Sequence, residues 1–171
     1  MEAKVAILEP FFQKPREAFH IREAAKLTSI NHTTVRKYLQ EMVKEGILTI
    51  KEDKLYDMYM AADSPAFRNI HLYYTLEIIR KSKFLAEIEK NDKDAAVVLS
   101  AFTESIELCM IYQKKKEYPT QELEKAFGKN IAVQYYDIKK LQNCLKKDAL
   151  LFQKIINGIV INGKITVTDF L

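Results

Sequence analysis

The segment FHIREAAKLTSINHTTVRKYLQEMVKEGILTIKEDKLYDMYM, residues 19–60, decides the fold of the N-terminal part of the chain. It predicts two short helices joined by a tight turn and followed by a two-stranded ribbon. The first helix is expected over residues 21–28, with Ala24, Ala25 and Leu27 facing inward. The rest of the N-terminal module is organised around this helix and its successor.

The turn and the second helix have clear local signals. Ile30 supplies the buried apolar side chain of a turn at residues 29–31, and Asn31 is a favourable N-cap because its side-chain oxygen accepts from free amides of the first turn. Gly46 is expected to end the helix. One side of it is apolar at the spacing of an amphipathic helix, with Val35, Leu39, Met42 and Val43.

The other side of this helix is short, polar and basic, which suits insertion into a DNA major groove. Its candidate DNA-binding residues are His32, Thr33, Thr34, Arg36, Lys37 and Gln40. Strand-like runs at 48–51 and 55–60 predict the ribbon, whose charged turn adds Lys51 and Lys54 as candidate phosphate contacts. An apolar helix closed by Pro15 is expected upstream of the segment.

Residues 1–60 resemble the winged helix-turn-helix domains of prokaryotic, especially archaeal, transcription regulators. The phrase HTTVRKYLQEMVKEGIL, residues 32–48, is similar to recognition helices of that class. The resemblance implies a regulator that binds double-stranded DNA. The alternative is a protein-interaction or antitoxin-like adaptor, because helix-turn-helix geometry also serves as a protein scaffold and residues 1–60 hold ten Lys/Arg against nine Asp/Glu.

Composition sets the frame for the remainder. The chain has 171 residues, is 48% hydrophobic and carries a formal net charge of +4, which gives room for two small domains and allows a polyanionic partner. Its apolar runs are too short to span a membrane, and residues 1–4 lead into a helix rather than a signal peptide. Cys109 and Cys144 lack C-x-x-C spacing and are expected to be reduced. We therefore expect a cytoplasmic protein with no membrane association.

The segment after the ribbon predicts a connecting helix. Ser64 can cap it and Pro65 suits the first helical position. The apolar pattern then predicts one continuous helix over residues 65–91, with more apolar surface than a single stripe. Such a surface needs a second partner, so we expect a homodimer. The predicted domains are 1–62, 63–93 and 94–171.

The C-terminal part alternates between strand and helix patterns. Strands are expected at 95–102, 106–112 and 131–136, and helices at 119–127, at 137–145 and from Asp148 onward. One or two further strands surround the hairpin dipeptide Asn162-Gly163. The fold class is therefore α+β, with a small mixed sheet in the C-terminal domain.

The order of these elements resembles the minimal nucleotidyltransferase domain that is often fused to archaeal winged helices. In that family the first strand leads into a Gly-Ser loop, and a Ser-Asp-x-Asp motif at the second strand holds a divalent metal ion. The equivalent segment here is VVLSAFTESIELCMIY, residues 97–112. Ser100 matches the motif serine, and Ser105-Ile106-Glu107-Leu108 resembles a shortened motif.

The departures from the family pattern predict that this domain is not an enzyme. The chain has no glycine between Gly46 and Gly128, so the phosphate-binding loop is missing, and Glu107 is the one remaining motif carboxylate. We expect no catalytic residue, no metal and no cofactor, and a C-terminal domain used for dimerisation or for sensing an effector of unknown identity. The alternative is an active nucleotidyltransferase with an atypical site.

Overall fold

The chain forms two compact units with a mixed α+β content. The computed structural model describes residues 2–52, 56–112 and 116–165. The units comprise Met1–Tyr74 and Thr75–Leu171, so the division falls between two adjacent residues of one helix. Each unit contains helices and a sheet of its own, as the sequence predicts for an α+β protein.

The first unit contains two short helices joined by a tight turn and a three-stranded antiparallel sheet with strand order β1-β3-β2. The middle strand β3 pairs with both others, which fixes the hairpin against the helices. The elements in chain order are α1 (Glu2–Gln13), β1 (Ala18–His20), α2 (Ile21–Thr28), α3 (His32–Lys44), β2 (Leu48–Glu52) and β3 (Asp57–Ala61).

The core of this unit lies between α1, the apolar side of α3 and the sheet. Val35, Leu39 and Met42 on α3 are fully buried, as their spacing predicts. Phe11 of α1 packs edge-to-face on Phe19 of β1, with ring centroids 5.1 Å apart. Each fully buried side chain of this kind stabilises the fold by about 1.5–3 kcal/mol, so helix and sheet are held mainly by apolar burial.

The junction between α2 and α3 has the predicted cap but one different side-chain position. The Asn31 Oδ1 accepts a hydrogen bond from the Thr33 amide at 2.8 Å, and Ser29 adopts a left-handed backbone with φ 57°. The predicted inward position of Leu27 is wrong, because 57% of its surface is exposed. The buried stripe of this eight-residue helix is centred on Ala24, and Leu27 falls outside it.

The second unit contains a four-stranded mixed sheet with strand order β6-β5-β4-β7. Strands β5 and β6 are parallel, and the other neighbouring pairs are antiparallel. Helix α4 (Pro65–Lys81) contains the division between the units. The elements that follow are α5 (Lys83–Asn91), β4 (Ala96–Ala101), β5 (Ile106–Ile111), α6 (Gln121–Phe127), β6 (Ile131–Tyr136), α7 (Ile138–Leu145), α8 (Ala149–Ile156) and β7 (Ile159–Asn162).

The prediction of one continuous helix over residues 65–91 is wrong, because the structure has two helices separated at Ser82. The Ser82 hydroxyl donates to the Ile79 carbonyl oxygen at 2.6 Å and accepts from the Leu85 amide at 3.3 Å. The hydroxyl therefore satisfies a carbonyl group at the end of α4 and an amide at the start of α5. Serine is favoured at such capping positions, where its side chain bonds to the backbone in place of a continuing helix. The break lets the two helices bury different apolar faces.

Gly158 at the start of β7 lies so close to β4 that a side chain does not fit. A Cβ atom there would lie 2.3 Å from Val98 Cγ1 and 2.9 Å from the Lys154 carbonyl oxygen. Gly46 after α3 differs, since it has a φ of +69° and no atom within 4 Å of such a Cβ. Position 158 thus needs glycine because a side chain does not fit, and position 46 favours glycine because its backbone is left-handed.

We expect Gly158→Ala to lower the free energy of unfolding by about 1–3 kcal/mol through overpacking. Gly46→Ala should cost about 1 kcal/mol through backbone strain alone, and Gly46→Asn less, because asparagine tolerates the left-handed region. Thermal unfolding measures the losses, and hydrogen exchange of β4 amides should rise in the first variant. Wild-type protection of β4 in Gly158→Ala would contradict the close contact.

Candidate functional site

The first half of α3 presents one exposed polar and basic surface, which we call the α3 face. All six of its side chains are classed as exposed, in agreement with their sequence pattern. Val35, Leu39 and Met42 hold the helix in the core, while these six side chains remain open to solvent. The α3 face consists of His32, Thr33, Thr34, Arg36, Lys37 and Gln40.

The charge along α3 is uneven. Its N-terminus carries the positive end of the helix dipole next to Arg36 and Lys37. The acidic residues Glu41 and Glu45 lie toward the other end. The Glu45 carboxylate is also bound by the Lys4 ammonium group of α1, at 2.6 and 2.8 Å. The N-terminal half of the helix is therefore the positive half.

The ribbon of β2 and β3 lies beside this helix. Tyr59 on β3 is buried, and its pKa is raised by that burial and by Asp57, while the Arg36 guanidinium acts in the opposite direction. Arg36 is thus close enough to β3 to influence a side chain there. Lys51 is exposed on β2 opposite Met58. Lys54 lies outside the described residues.

His20 and Tyr56 form a second polar feature near the turn end of the ribbon, which the sequence patterns did not predict. The His20 Nδ1 accepts from the Arg22 amide at 3.2 Å and caps α2. The two aromatic rings meet edge-to-face with centroids 4.9 Å apart, and Tyr56 is 63% exposed. Strand β1 has only three residues and therefore shows no alternating pattern in the sequence, and histidine is an uncommon N-cap.

In the second unit, Glu107 on β5 already has a cationic partner. Its carboxylate accepts from the Lys154 ammonium group of α8 at 2.8 Å and from the Ser105 hydroxyl at 3.2 Å. The hydrogen bond from Lys154 is the main cause that lowers the Glu107 pKa. The same bond raises the pKa of Lys154. Both oxygens of the carboxylate therefore accept a hydrogen bond from a side chain of the same unit.

The connection between β4 and β5 is held by further polar contacts. The Lys129 ammonium group donates to the Thr103 carbonyl oxygen at 2.8 Å, and the Ser100 hydroxyl donates to the Glu107 carbonyl oxygen at 3.1 Å. Burial lowers the pKa of Lys129, an effect that Glu104 opposes. Within the described ranges, no group of three His, Cys, Asp or Glu residues is placed to hold a metal ion.

The remaining reactive side chains do not form a site with these groups. Cys109 is buried in the second sheet, and desolvation raises the pKa of its thiol to about 12, so the thiol stays protonated at neutral pH. The Cys144 side chain lies outside the described residues. Among the helices that the structure describes, none is long and apolar enough to cross a membrane.

Comparisons with known proteins assign no family. No known family matches the sequence, and no curated protein does. A similar solved structure is the crystal structure of Pseudomonas aeruginosa HmgR, with a TM-score of 0.35 and 12% identity. The match covers 68% of this chain and 49% of HmgR, so the chain spans about half the length of that protein. Similarity at this level does not establish a shared fold.

We expect Lys154→Met to return the pKa of Glu107 toward its ordinary value, because the main lowering contact is lost. A carboxylate with a lowered folded-state pKa stabilises the protein above its unfolded pKa, and this contribution disappears as the pH falls through the folded pKa. The pair is half-exposed, with side chains 52% and 29% accessible, so the loss at neutral pH should stay below about 1 kcal/mol.

A carboxyl NMR titration of Glu107 and urea unfolding at neutral and strongly acidic pH measure these effects. The difference between variant and wild type should vanish in acid. Lys146→Met is the matched control, since it removes an exposed lysine just before α8. An unchanged Glu107 titration in Lys154→Met would show that the ion pair is not formed in solution.

Proposed function

We propose that the protein is a DNA-binding transcriptional regulator whose first unit is a winged helix-turn-helix. In this proposal α2 and α3 form the helix-turn-helix, and the β2–β3 hairpin is the wing. The observation that carries the proposal is the α3 face: six exposed polar or basic side chains on a helix that is held in the core by Val35, Leu39 and Met42. A helix of this shape and polarity fits the major groove of B-DNA.

The side chains of the α3 face suit different contacts. Arg36 can form a bidentate pair with guanine, and Gln40 with adenine. Thr33, Thr34 and His32 lie at the helix N-terminus, where hydroxyl, ring and amide donors favour phosphate. Lys37 supplies a further cation for the backbone. Lys51 and Lys54 are proposed to contact phosphate from the wing.

Local charge supports this proposal more than net charge does. Residues 1–60 are nearly neutral, which limits non-specific attraction to DNA. The Lys4–Glu45 ion pair, however, neutralises one acidic side chain at the far end of α3. Glu41 is then the remaining acidic side chain of α3, and it lies one turn beyond Lys37 toward the C-terminal half.

We further propose that the second unit is a nucleotidyltransferase-like domain without catalytic activity, used for dimerisation or sensing. The support is the pairing of Glu107 with Lys154 and Ser105, together with the absence of glycine between Gly46 and Gly128. A carboxylate that is already bound to an ammonium group is poorly suited to hold a divalent metal ion.

We expect Arg36→Ala to weaken binding to duplex DNA by roughly 1–3 kcal/mol if Arg36 reads a base. Lys44→Ala is the matched control, because it removes one exposed positive charge from the same helix but from its last turn. It should leave affinity nearly unchanged. Fluorescence anisotropy with a duplex from upstream of the protein's own gene measures both variants over a range of salt concentrations.

The two substitutions separate a groove contact from a general charge effect. Equal losses in both variants would indicate non-specific attraction, and wild-type affinity in a folded Arg36→Ala/Lys37→Ala double variant would contradict the proposal. Absence of salt-dependent DNA binding by the wild type would favour the adaptor alternative, in which the helix-turn-helix binds protein.

Dimerisation is proposed to involve the second unit, on a different surface from the one the sequence indicated. Helices α4 and α5 therefore expose less apolar surface than the single long helix that the sequence predicts. Their buried large apolar side chains are Phe67, Ile79, Phe84, Leu85 and Ile88. Five of the nine exposed large apolar side chains in the described residues lie between 138 and 160, and we place the proposed interface there because exposed apolar surface can mark an interface. They are Ile138, Leu150, Phe152, Ile156 and Val160.

Light scattering of the full-length protein at micromolar concentration should report about twice the chain mass of 19.9 kDa. Ile156→Lys on α8 should reduce this to one chain, because burying an unpaired ammonium group is costly. Tyr73→Lys on α4, where the tyrosine is 56% exposed, should leave the mass of the wild type. A wild-type mass of one chain would refute dimerisation, and the opposite result in the two variants would move the interface to α4.

A further inference from the structure

A cleft of about 310 Å³ lies between the C-terminal half of α1 and helix α2 in the first unit. This volume is within the range of small-molecule sites, roughly 300–1,000 Å³. The cleft is on α1, α2 and β1, whereas the α3 face belongs to α3. A compound bound here would therefore leave the residues proposed to contact DNA uncovered.

The apolar part of the cleft explains an otherwise unfavourable side-chain position. Pro10 and Phe19 line the cleft and are themselves buried, so they form its inner wall. Leu27 also lines it, yet 57% of its surface is exposed. Covering Leu27 with an apolar group would remove this surface from water and so stabilise the complex. The occupant should therefore have an apolar body.

The charged part of the cleft has an excess of carboxylates. Glu9, Glu23 and Lys14 all line it, but the Lys14 ammonium group is bound by the Glu17 carboxylate at 2.9 Å. The Glu9 carboxylate accepts a hydrogen bond from the Tyr74 hydroxyl at 3.0 Å. Burial, followed by Glu9 itself, raises the Tyr74 pKa, so this hydroxyl remains a donor. A neutral donor leaves the charge of Glu9 uncompensated.

We propose that this cleft binds a small organic cation, an amine whose ammonium group lies between Glu9 and Glu23 and whose apolar body covers Leu27. Hydrogen bonds between an ammonium group and a carboxylate are shorter and stronger than neutral ones. An organic acid or a phosphate compound would meet two carboxylates and is excluded on the same ground. The proposal concerns ligand binding and does not depend on DNA.

The position of the cleft gives the ligand a route to the α3 face. Leu27 is in the last turn of α2, two residues before the left-handed Ser29 that turns the chain into α3. Phe19 is on β1 and pairs with Tyr59 of β3. Helices α1 and α2, which line the cleft, both pack against α3. A bound amine would thus contact two neighbours of α3 and would change DNA affinity if it prefers one arrangement of them. This step rests on the proposed function.

The test is an NMR titration of the full-length protein with phenethylammonium chloride, in the absence of DNA. We expect saturable shifts of amides on α1 and α2 and none on α5. Phenylacetate and 2-phenylethanol, which share the apolar body but lack the positive charge, should bind at least about tenfold more weakly, a difference of about 1.4 kcal/mol. Equal shifts with phenylacetate, or no saturable shift with the amine, would overturn the proposal.

Variants test the assigned side chains. A Glu9→Gln/Glu23→Gln double variant should lose at least about tenfold in affinity for the amine, because both charge-assisted contacts are removed. Glu89→Gln on α5, an exposed carboxylate in the second unit, is the control and should bind as the wild type does. Wild-type affinity in a folded double variant would contradict the site.

DNA affinity measured by anisotropy with and without the amine tests the last step separately. A change that is lost in the double variant supports regulation through the cleft. Amine binding without any change in DNA affinity would leave the site in place and show that the regulatory step is wrong. A protein that binds the amine but no DNA would contradict the proposed function and not the cleft.

Discussion

The first unit depends on one constraint: helix α3 must bury one side completely while the opposite side stays in water. Val35, Leu39 and Met42 meet the first requirement with no exposed surface, and the Asn31 side chain satisfies the Thr33 amide at the helix start. Burial of three side chains at about 1.5–3 kcal/mol each far exceeds what a single cap or surface ion pair contributes. The rigid presentation of the α3 face therefore follows from the core, and its polar residues are free to be selected for contacts outside the protein.

In the second unit, the Glu107 carboxylate has its hydrogen-bond partners within the chain. The element order and the mixed sheet do not require any particular residue at the β4–β5 connection. At that connection Lys154 and Ser105 bind the Glu107 carboxylate. The Lys154 ammonium group on α8 compensates the negative charge of the Glu107 carboxylate. This ion pair links α8 to β5 within the second unit.

The local elements could be predicted from the sequence where periodicity and capping agree, as they do over α3 and its Asn31 cap. Prediction failed where a long-range contact decides. Strand β1 has three residues and exists because Phe19 pairs with Tyr59, about forty positions away. The helix break required weighing Ser82 as a cap against an apolar pattern that continues on both sides of it. Leu27 was misplaced because a short helix shows apolar spacing without revealing how wide a stripe its neighbours cover.

The α3 face does not account for the exposure of Leu27 on α2. A helix-turn-helix that served only to present α3 would gain by replacing an apolar side chain in water with a polar one. Leu27 lines a cleft that also contains Glu9 and Glu23. An amine with an apolar body could contact the apolar surface of Leu27 and the two carboxylates at the same time. The nearly zero net charge of residues 1–60 then combines a local excess of positive charge with a separate local excess of negative charge. Positive charge lies on α3 and negative charge lies between α1 and α2, so near-neutral composition is compatible with the two charged ligands that we propose.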